Sequence, residues 1–378
     1  MKTRLHTLSL TEFRGYERLD VDLQGRSLYL FGANGAGKTN FLEAISVLNP
    51  GRGLRNAAVG DLGRRLPHEV KGRAWGVSAI LKTEDEEVRL GTGSDPRNLD
   101  KRAVRIDQQT VVAGRLLDHL RLVWLTPAQD RIFLEARAER LRFFDRLVFA
   151  ADPHHASTVA AYEKALRERL RLLTQGPADA VWLDALEEQL ANAGVGMIVA
   201  RRLALEALQA EIESHQGAFP KADLGLTGEE QSGVVAVYDH RTLNGWLREG
   251  FARARARDSA AGRSLFGPHR TDLSVFHRDK DRQAADCSTG EQKALVLNMI
   301  LAQGARLSRV KTAPNPVVLL DEVAAHLDPI RRGALFDETD HLGLQTLFTG
   351  TDENLFDGLS GRALGVRVDG GQWTEFRN

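Results

Sequence analysis

One stretch constrains this chain more than any other: Gly32-Ala33-Asn34-Gly35-Ala36-Gly37-Lys38-Thr39, followed by Asn40. It is a G-x-x-x-x-G-K-T loop. The apolar run Ser27-Leu28-Tyr29-Leu30-Phe31 precedes it, and Phe41, Ile45 and Leu48 follow at helical spacing over residues 40–48. In a strand–glycine loop–helix unit, backbone N–H groups and the helix N-terminus cradle phosphate oxygens. The glycines let the backbone approach without Cβ clashes. Lys38 brings a point charge to the β- and γ-phosphates, and the Thr39 hydroxyl can ligate Mg²⁺. A chance glycine turn would lack this context.

Pro316-Val317-Val318-Leu319-Leu320-Asp321-Glu322 supplies the second constraint. A buried strand ending in two acids sets carboxylates at the C-terminal edge of an open α/β sheet, where ligands bind. Asp321 suits Mg²⁺, and Glu322 suits a water attacking the γ-phosphate. Alone this pattern is weak; beside a phosphate loop it is strong. A third segment, Cys287-Ser288-Thr289-Gly290-Glu291-Gln292-Lys293, opens a helix expected over 288–305. Two compatible readings apply. Ser288 with Glu291 makes a capping box. Equally, the hydroxyl, the Gly290 N–H and the helix dipole make an anion site like the signature of ATP-binding cassettes.

Around these motifs the texture changes. Strands are expected over 5–13, 19–23, 74–81, 87–90 and 102–106, the last two flanking a turn-rich Gly-Thr-Gly-Ser-Asp-Pro stretch. Residues 134–149, 155–173 and 178–212 have helical periodicity. Gln175-Gly176-Pro177 breaks the last two into an expected antiparallel pair, the longer about 50 Å long, with Ala193-Gly194-Val195-Gly196 the place for a kink. Strands resume at 234–238 and 271–276. No period of 20–50 residues repeats, which excludes a solenoid.

Lys and Arg total 51 against 51 Asp and Glu, so a polyanion must meet a local patch rather than a global charge. Residues 51–73 carry six basic against two acidic groups, and residues 241–270 carry seven against two. Residues 178–230 reverse this, with three basic against ten acidic groups. Such runs can equally be solvated faces. The single cysteine, Cys287, excludes a disulfide framework and a cysteine zinc site and fits a reducing cytosol. The apolar runs fall far short of the roughly 20 residues that span a bilayer. The N-terminus alternates apolar and polar residues and lacks the apolar core of a signal peptide. A soluble, cytoplasmic protein is expected.

Together the three motifs resemble those of the ABC-type ATPases of the SMC and RecF group. Phe13-Arg14-Gly15-Tyr16, Gly51-Arg52-Gly53-Leu54-Arg55-Asn56, Leu125-Thr126-Pro127-Ala128-Gln129-Asp130 and, above all, Gly267-Pro268-His269-Arg270-Thr271-Asp272-Leu273 narrow the likeness to the RecF branch. Gly290 comes 252 positions after Lys38, more than transporter ATPases have and too few for the heptad arms of SMC proteins. The resemblance implies an α/β fold: an ABC-type ATPase head of mixed sheet and P-loop core (1–129 and 258–378) with an inserted α-helical lobe (130–257).

By the same resemblance, Gln129 joins the metal shell as the Q-loop residue, with Asp130 a competing candidate, and Asp328 faces the partner subunit. Arg14 lies near the phosphates or is simply solvated. Thr349 and Thr351 stand where many relatives place a switch histidine, so slow turnover is expected. His269 orients the signature, touches phosphate or is structural. A signature on the far side of the cleft implies an ATP-sandwich homodimer, each nucleotide held by one chain's Lys38, Thr39 and Asp321 and its partner's Ser288 and Gly290.

DNA is the implied ligand, gripped through phosphates without sequence preference. The candidate contacts are Arg52, Arg55, Arg64, Arg65, Arg137, Arg140, Arg142, Arg146, Arg253, Arg255 and Arg257. On a helix Arg253 and Arg257 share a face, and Arg255 points about 160° away. The implied function is an ATP-gated DNA clamp, weakly active and DNA-stimulated as an ATPase. It would act at duplex DNA or single-strand/duplex junctions and help RecO and RecR load RecA at gaps. The alternatives are an ATPase subunit coupled to a membrane or other non-DNA partner, and a nucleotide-binding protein without turnover.

Overall fold

Alternating apolar side chains build the first sheet, and fully apolar runs build the second. In the computed structural model, which describes residues 3–84, 86–176, 179–214, 217–228, 239–311 and 313–376, β1 (Arg4–Phe13) and β2 (Tyr16–Asp22) form a hairpin with Leu5, Leu8, Leu10 and Phe13 turned inward. The short β3 (Leu28–Phe31) is buried at all four positions and joins the other sheet. β4 (Gly76–Lys82), β5 (Glu87–Asp95), β6 (Asn98–Ile106) and β7 (Gln109–Thr110) complete an antiparallel sheet of order β2-β1-β4-β5-β6-β7. The Gly-Thr-Gly-Ser-Asp stretch is strand, not turn. Thr92 and Ser94, which alternate with Gly91 and Gly93, are buried, and the Trp75 N–H donates to Ser94 Oγ at 3.0 Å.

The second sheet is parallel apart from its edge. β8 (Arg121–Leu125), β12 (Pro316–Leu320), β13 (Gln345–Gly350), β3 and β14 (Leu364–Asp369) run side by side, and β15 (Gln372–Phe376) closes the edge antiparallel. α1 (Lys38–Ser46) follows the glycine loop, and Leu10, Phe13, Leu30, Phe41 and Ile45 share one apolar cluster. α6 (Thr289–Ser308) is buried from Gln292 to Ala305 and precedes β12. α7 (Pro329–His341), which periodicity does not mark, starts at Pro329 behind the N-cap Asp328.

The chain divides into two compact units: Met1–Asp130, Ser214–Pro220 and Thr289–Asn378, and Arg131–Glu213 and Lys221–Ser288. The second holds α2 (Arg137–Ala151), α3 (Pro153–Thr174), α4 (Ala180–Ser214) and α5 (His240–Ala261). It also holds a small sheet of β9 (Ala222–Thr227), β10 (Asp272–His277) and β11 (Arg282–Gln283). α4 runs unbroken. A Cβ on Gly194 would lie 3.0 Å from Leu247 Cδ1, so that glycine serves close packing. The strand expected at 234–238 lies outside the described residues.

Residues 258–288, expected in the head, group with the helical unit because β10 pairs with β9 and because two arginines tie the segment down. Arg140 grips Asp272 in a fork, 2.8 Å from Nε and 2.5 Å from Nη2. Arg201 donates to Pro268 O at 2.6 Å and forks onto Asp145, which also meets His155 at 2.9 Å. Arg169, fully buried, joins α3, α4 and α5 through Glu187, Asp258 and the Phe251 carbonyl.

Candidate active site

The carboxyl ends of four neighbouring strands, β3, β13, β12 and β8, present the sequence-predicted residues in that order. The glycine loop leaves β3, Thr349 lies in β13, Asp321 and Glu322 follow β12, and Gln129 and Asp130 follow β8. Asp321 Oδ1 accepts hydroxyl hydrogen bonds from Thr39 at 2.9 Å and Thr349 at 2.7 Å. The Glu322 N–H donates to Thr349 Oγ1 at 2.9 Å. Thr349 is therefore the brace of the two acids, whereas Thr351 is exposed and bonds Asp352. Glu322 has φ 54°, a left-handed conformation that costs a non-glycine residue about 1–3 kcal/mol and aims its side chain.

Lys38 curls back over the loop. Its Nζ donates to the carbonyls of Gly32 at 2.7 Å and Ala33 at 3.0 Å, and lies 3.5 Å from Glu322 Oε1. Glycine is required at both ends of the loop. Gly32 has φ 147°, and a Cβ there would meet Val368 O at 2.2 Å; Gly37 has φ 114°, with the Tyr16 hydroxyl 2.9 Å from a Cβ. These neighbours form a bracket that sequence reasoning missed. Tyr16 donates to Gly37 O at 3.0 Å, the Gly371 N–H donates to Ala36 O at 3.1 Å, and the Trp373 ring packs tilted against Phe41, centroids 4.7 Å apart. Burial pushes the Tyr16 hydroxyl's pKa up, partly offset by the neighbouring Trp373 indole. The turn Asp369-Gly370-Gly371 was the available signal.

Arg14 forks onto Glu43 at 2.8 and 2.7 Å and donates to Asp61 O at 2.8 Å. Glu43, sealed inside α1, also receives Arg55 at 3.1 Å, and Arg55 donates to Asn40 Oδ1 at 2.8 Å. A cleft of about 580 Å³, lined by Arg14, Gly15, Asn40, Arg55, Asp61 and Arg65 among others, opens beside the loop. Glu43 was invisible as a site residue because only the fold brings Arg14 and Arg55 to it.

Gln129 Oε1 accepts from the Thr126 N–H at 3.1 Å in a capping box. Asp130 instead pairs with Lys293 at 3.0 Å. Ser288, Thr289 and Gly290 are exposed, and nothing lies within 4 Å of a Cβ on Gly290. Asp328 is exposed and caps α7 by accepting from the Arg331 N–H at 2.9 Å. His269 is internal to the second unit: its Nδ1 lies 2.9 Å from the Tyr162 hydroxyl, and burial lowers its pKa to about 4.

The arginines sort sharply. Arg140 is committed to Asp272, with its pKa raised, so it is not an available phosphate contact. Arg55 is turned onto Asn40 and Glu43, and Arg64 onto Glu17 at 3.0 Å and Glu12 at 3.5 Å. Arg255 is held by Glu187 and Asp184 against α4. Arg146 stacks on Phe143, and burial lowers its pKa to about 9. Arg137 is half-buried. Arg52 and Arg257 are exposed, and Arg65, Arg142 and Arg253 are exposed with acidic surface partners in Asp61, Glu139 and Glu249.

Residues 4–371 match the family described as RecF/RecN/SMC N terminal domain. The chain is 58% identical over 379 residues to the DNA replication and repair protein RecF of Caulobacter sp. strain K31, covering 97% of each chain. It is 58% identical over 371 residues to the RecF of Caulobacter vibrioides, covering 96% of each. Among solved structures it is similar to a recombination mediator protein RecF–ATPrS of the RecFOR pathway, with TM-score 0.85 and 20% identity over 99% of this chain and 98% of that one. The Smc head domain of Pyrococcus furiosus, bound to the C-terminal domain of ScpA, gives TM-score 0.55 at 16% identity over 99% and 96%. These structures share the fold.

Proposed function

Because this chain belongs to the RecF family of SMC-type ATPases, we propose that it is an ATP-gated DNA clamp of recombinational repair. The arrangement of Thr39, Asp321, Thr349 and Glu322, with Lys38 beside Glu322, carries the reading. Thr39 and Asp321 offer hard oxygen donors. That donor pair fits Mg²⁺, which keeps waters and takes further oxygens from phosphate. When bound, Mg²⁺ supplies charge neutralisation at the β- and γ-phosphate oxygens.

Lys38 exchanges its bonds to the Gly32 and Ala33 carbonyls for phosphate oxygens, which frees Glu322. Glu322 then orients a water and takes its proton as the oxygen attacks the γ-phosphorus. The bond to the β-phosphate oxygen breaks, leaving ADP and phosphate. Thr349 holds both acids in place, so a histidine is not needed for that task. The cleft of Arg14, Asn40 and Arg55 adjoins the loop and suits the remainder of the nucleotide. The exposed first turn of α6, with Ser288, serves the nucleotide of a second copy, so ATP glues the homodimer and hydrolysis releases it.

Arg52, Arg65, Arg142, Arg253 and Arg257 supply phosphate contacts to duplex or junction DNA. The partners are RecO and RecR, with RecA loading at gaps the outcome. Turnover is slow and DNA-stimulated. The test is DNA affinity by fluorescence anisotropy with ATP, ADP or no nucleotide, at two salt concentrations. ATP is expected to tighten binding, and Lys38→Met to abolish that gain. Equal affinity in all three nucleotide states would overturn the gating.

A further inference from the structure

Lys293 is buried in the second turn of α6, in a run that is otherwise largely apolar (Ala294, Leu295, Val296, Leu297). A cation near a helix N-terminus opposes the dipole, and its burial lowers its pKa, offset by Asp130 and then Glu322. A buried ion pair is weak evidence for stability, since an apolar side chain of similar volume often serves as well. Folding alone therefore does not ask for lysine here. Its Nζ lies 3.0 Å from Asp130 Oδ2, and Lys38 lies 3.5 Å from Glu322. Lys38 is thus the lysine within ion-pair range of Glu322, whereas Lys293 is held by Asp130 and feels Glu322 as the weaker of two acidic charges. Lys293 also sits one turn beyond Thr289 and Gly290 on their face of α6, and long helical side chains run back toward the N-terminus.

We propose that Lys293 is a positioning residue that reports the state of a chain's own nucleotide pocket to the signature the same chain presents to a second copy. This rests on the sandwich reading above. A triphosphate that draws Lys38 away from Glu322 leaves that carboxylate uncompensated at the end of β12, beside the end of the paired strand β8, after which Asp130 holds Lys293. The Lys293 ammonium is drawn toward Glu322, and the first turn of α6 shifts with it. Asp130 thereby gains a task separate from that of Gln129, whose amide oxygen is engaged by Thr126.

The test compares wild type, Lys293→Met, Lys293→Arg, Asp130→Asn and the Asp130→Asn/Lys293→Met pair. Two quantities are read: binding of a fluorescent non-hydrolysable ATP analogue to dilute monomer, and dimerisation with that analogue and Mg²⁺ by sedimentation. Own-pocket affinity is expected to stay within about twofold, whereas dimerisation weakens about tenfold in Lys293→Met and Asp130→Asn. The double variant should be no worse than either single one, and Lys293→Arg should restore dimerisation. Wild-type dimerisation by Lys293→Met would overturn the proposal. A parallel loss of own-pocket binding that Arg fails to rescue would overturn it as well, by making the lysine merely structural. A wild type that stays monomeric with the analogue would instead overturn the sandwich reading, and this inference with it.

Discussion

Lys38 in the head and Arg169 in the helical unit are both nearly sealed from solvent, yet they are held in opposite ways. Lys38 rests on two backbone carbonyls and reaches a carboxylate only at 3.5 Å. Arg169 makes three bonds of 2.7–2.8 Å to two carboxylates and a carbonyl. The first arrangement can be traded for phosphate oxygens. The second offers no better partner, and an arginine so placed fixes three helices. Buried charge in this molecule is thus exchangeable where ligand chemistry is expected and locked where it organises a scaffold.

The largest effect expected from this contrast is on stability. Arg169→Met leaves Asp258 buried without its cation and Glu187 with Arg255 alone, and should cost about 3–5 kcal/mol by urea denaturation; a loss below about 1 kcal/mol would erase the distinction. Lys38→Met should leave the melting temperature nearly unchanged while ATP hydrolysis falls about 10²–10³-fold. Acid should also act on the helical unit. With His269 held near pKa 4, the unfolded chain takes a proton below about pH 6.5 that the native state refuses. Stability then falls by up to about 3 kcal/mol as pH drops from 6.5 to 4. His269→Gln should flatten that part of the pH dependence of the denaturation midpoint.

Two smaller effects sharpen the comparison. Thr349→Val removes the brace between the acids and should lower kcat about tenfold with little change in nucleotide affinity. Replacing Arg253 or Arg257 by Gln should reduce the slope of log affinity for DNA against log salt by about 1 each. Arg255→Gln, whose guanidinium is locked to Glu187 and Asp184, should leave that slope alone and lower stability instead.

The same contrast explains what could be read from residues alone. The glycine loop, Lys38, Thr39, Asp321 and Glu322 are legible because their chemistry depends on neighbours in the chain: a strand before, a helix after, an apolar run ending in acids. The parallel sheet was legible for the same reason. Arg140 was not, since an arginine on a basic helix looks the same whether it faces solvent or an aspartate 132 positions away. The Gly267–Leu273 segment marked the family, but its work, holding Arg201 through Pro268 and Arg140 through Asp272, appears only in the fold. Thr349 was visible as a missing histidine, and its bonds to Asp321 and Glu322 turned that absence into a function. Lys293 gave no local signal because its partner Asp130 is 163 positions away, and of the Tyr16–Gly371–Trp373 bracket only the Gly370-Gly371 turn was visible, since its partners come from distant parts of the chain.

The central claim is that ATP closes two copies of this chain onto each other. The most direct test is the solution mass of Glu322→Gln by light scattering with Mg²⁺, with and without ATP, beside the same protein carrying Ser288→Arg. A monomer that becomes a dimer only with ATP, and fails to do so with Ser288→Arg, is the predicted result. A monomer under both conditions, or dimers indifferent to Ser288→Arg, would contradict it.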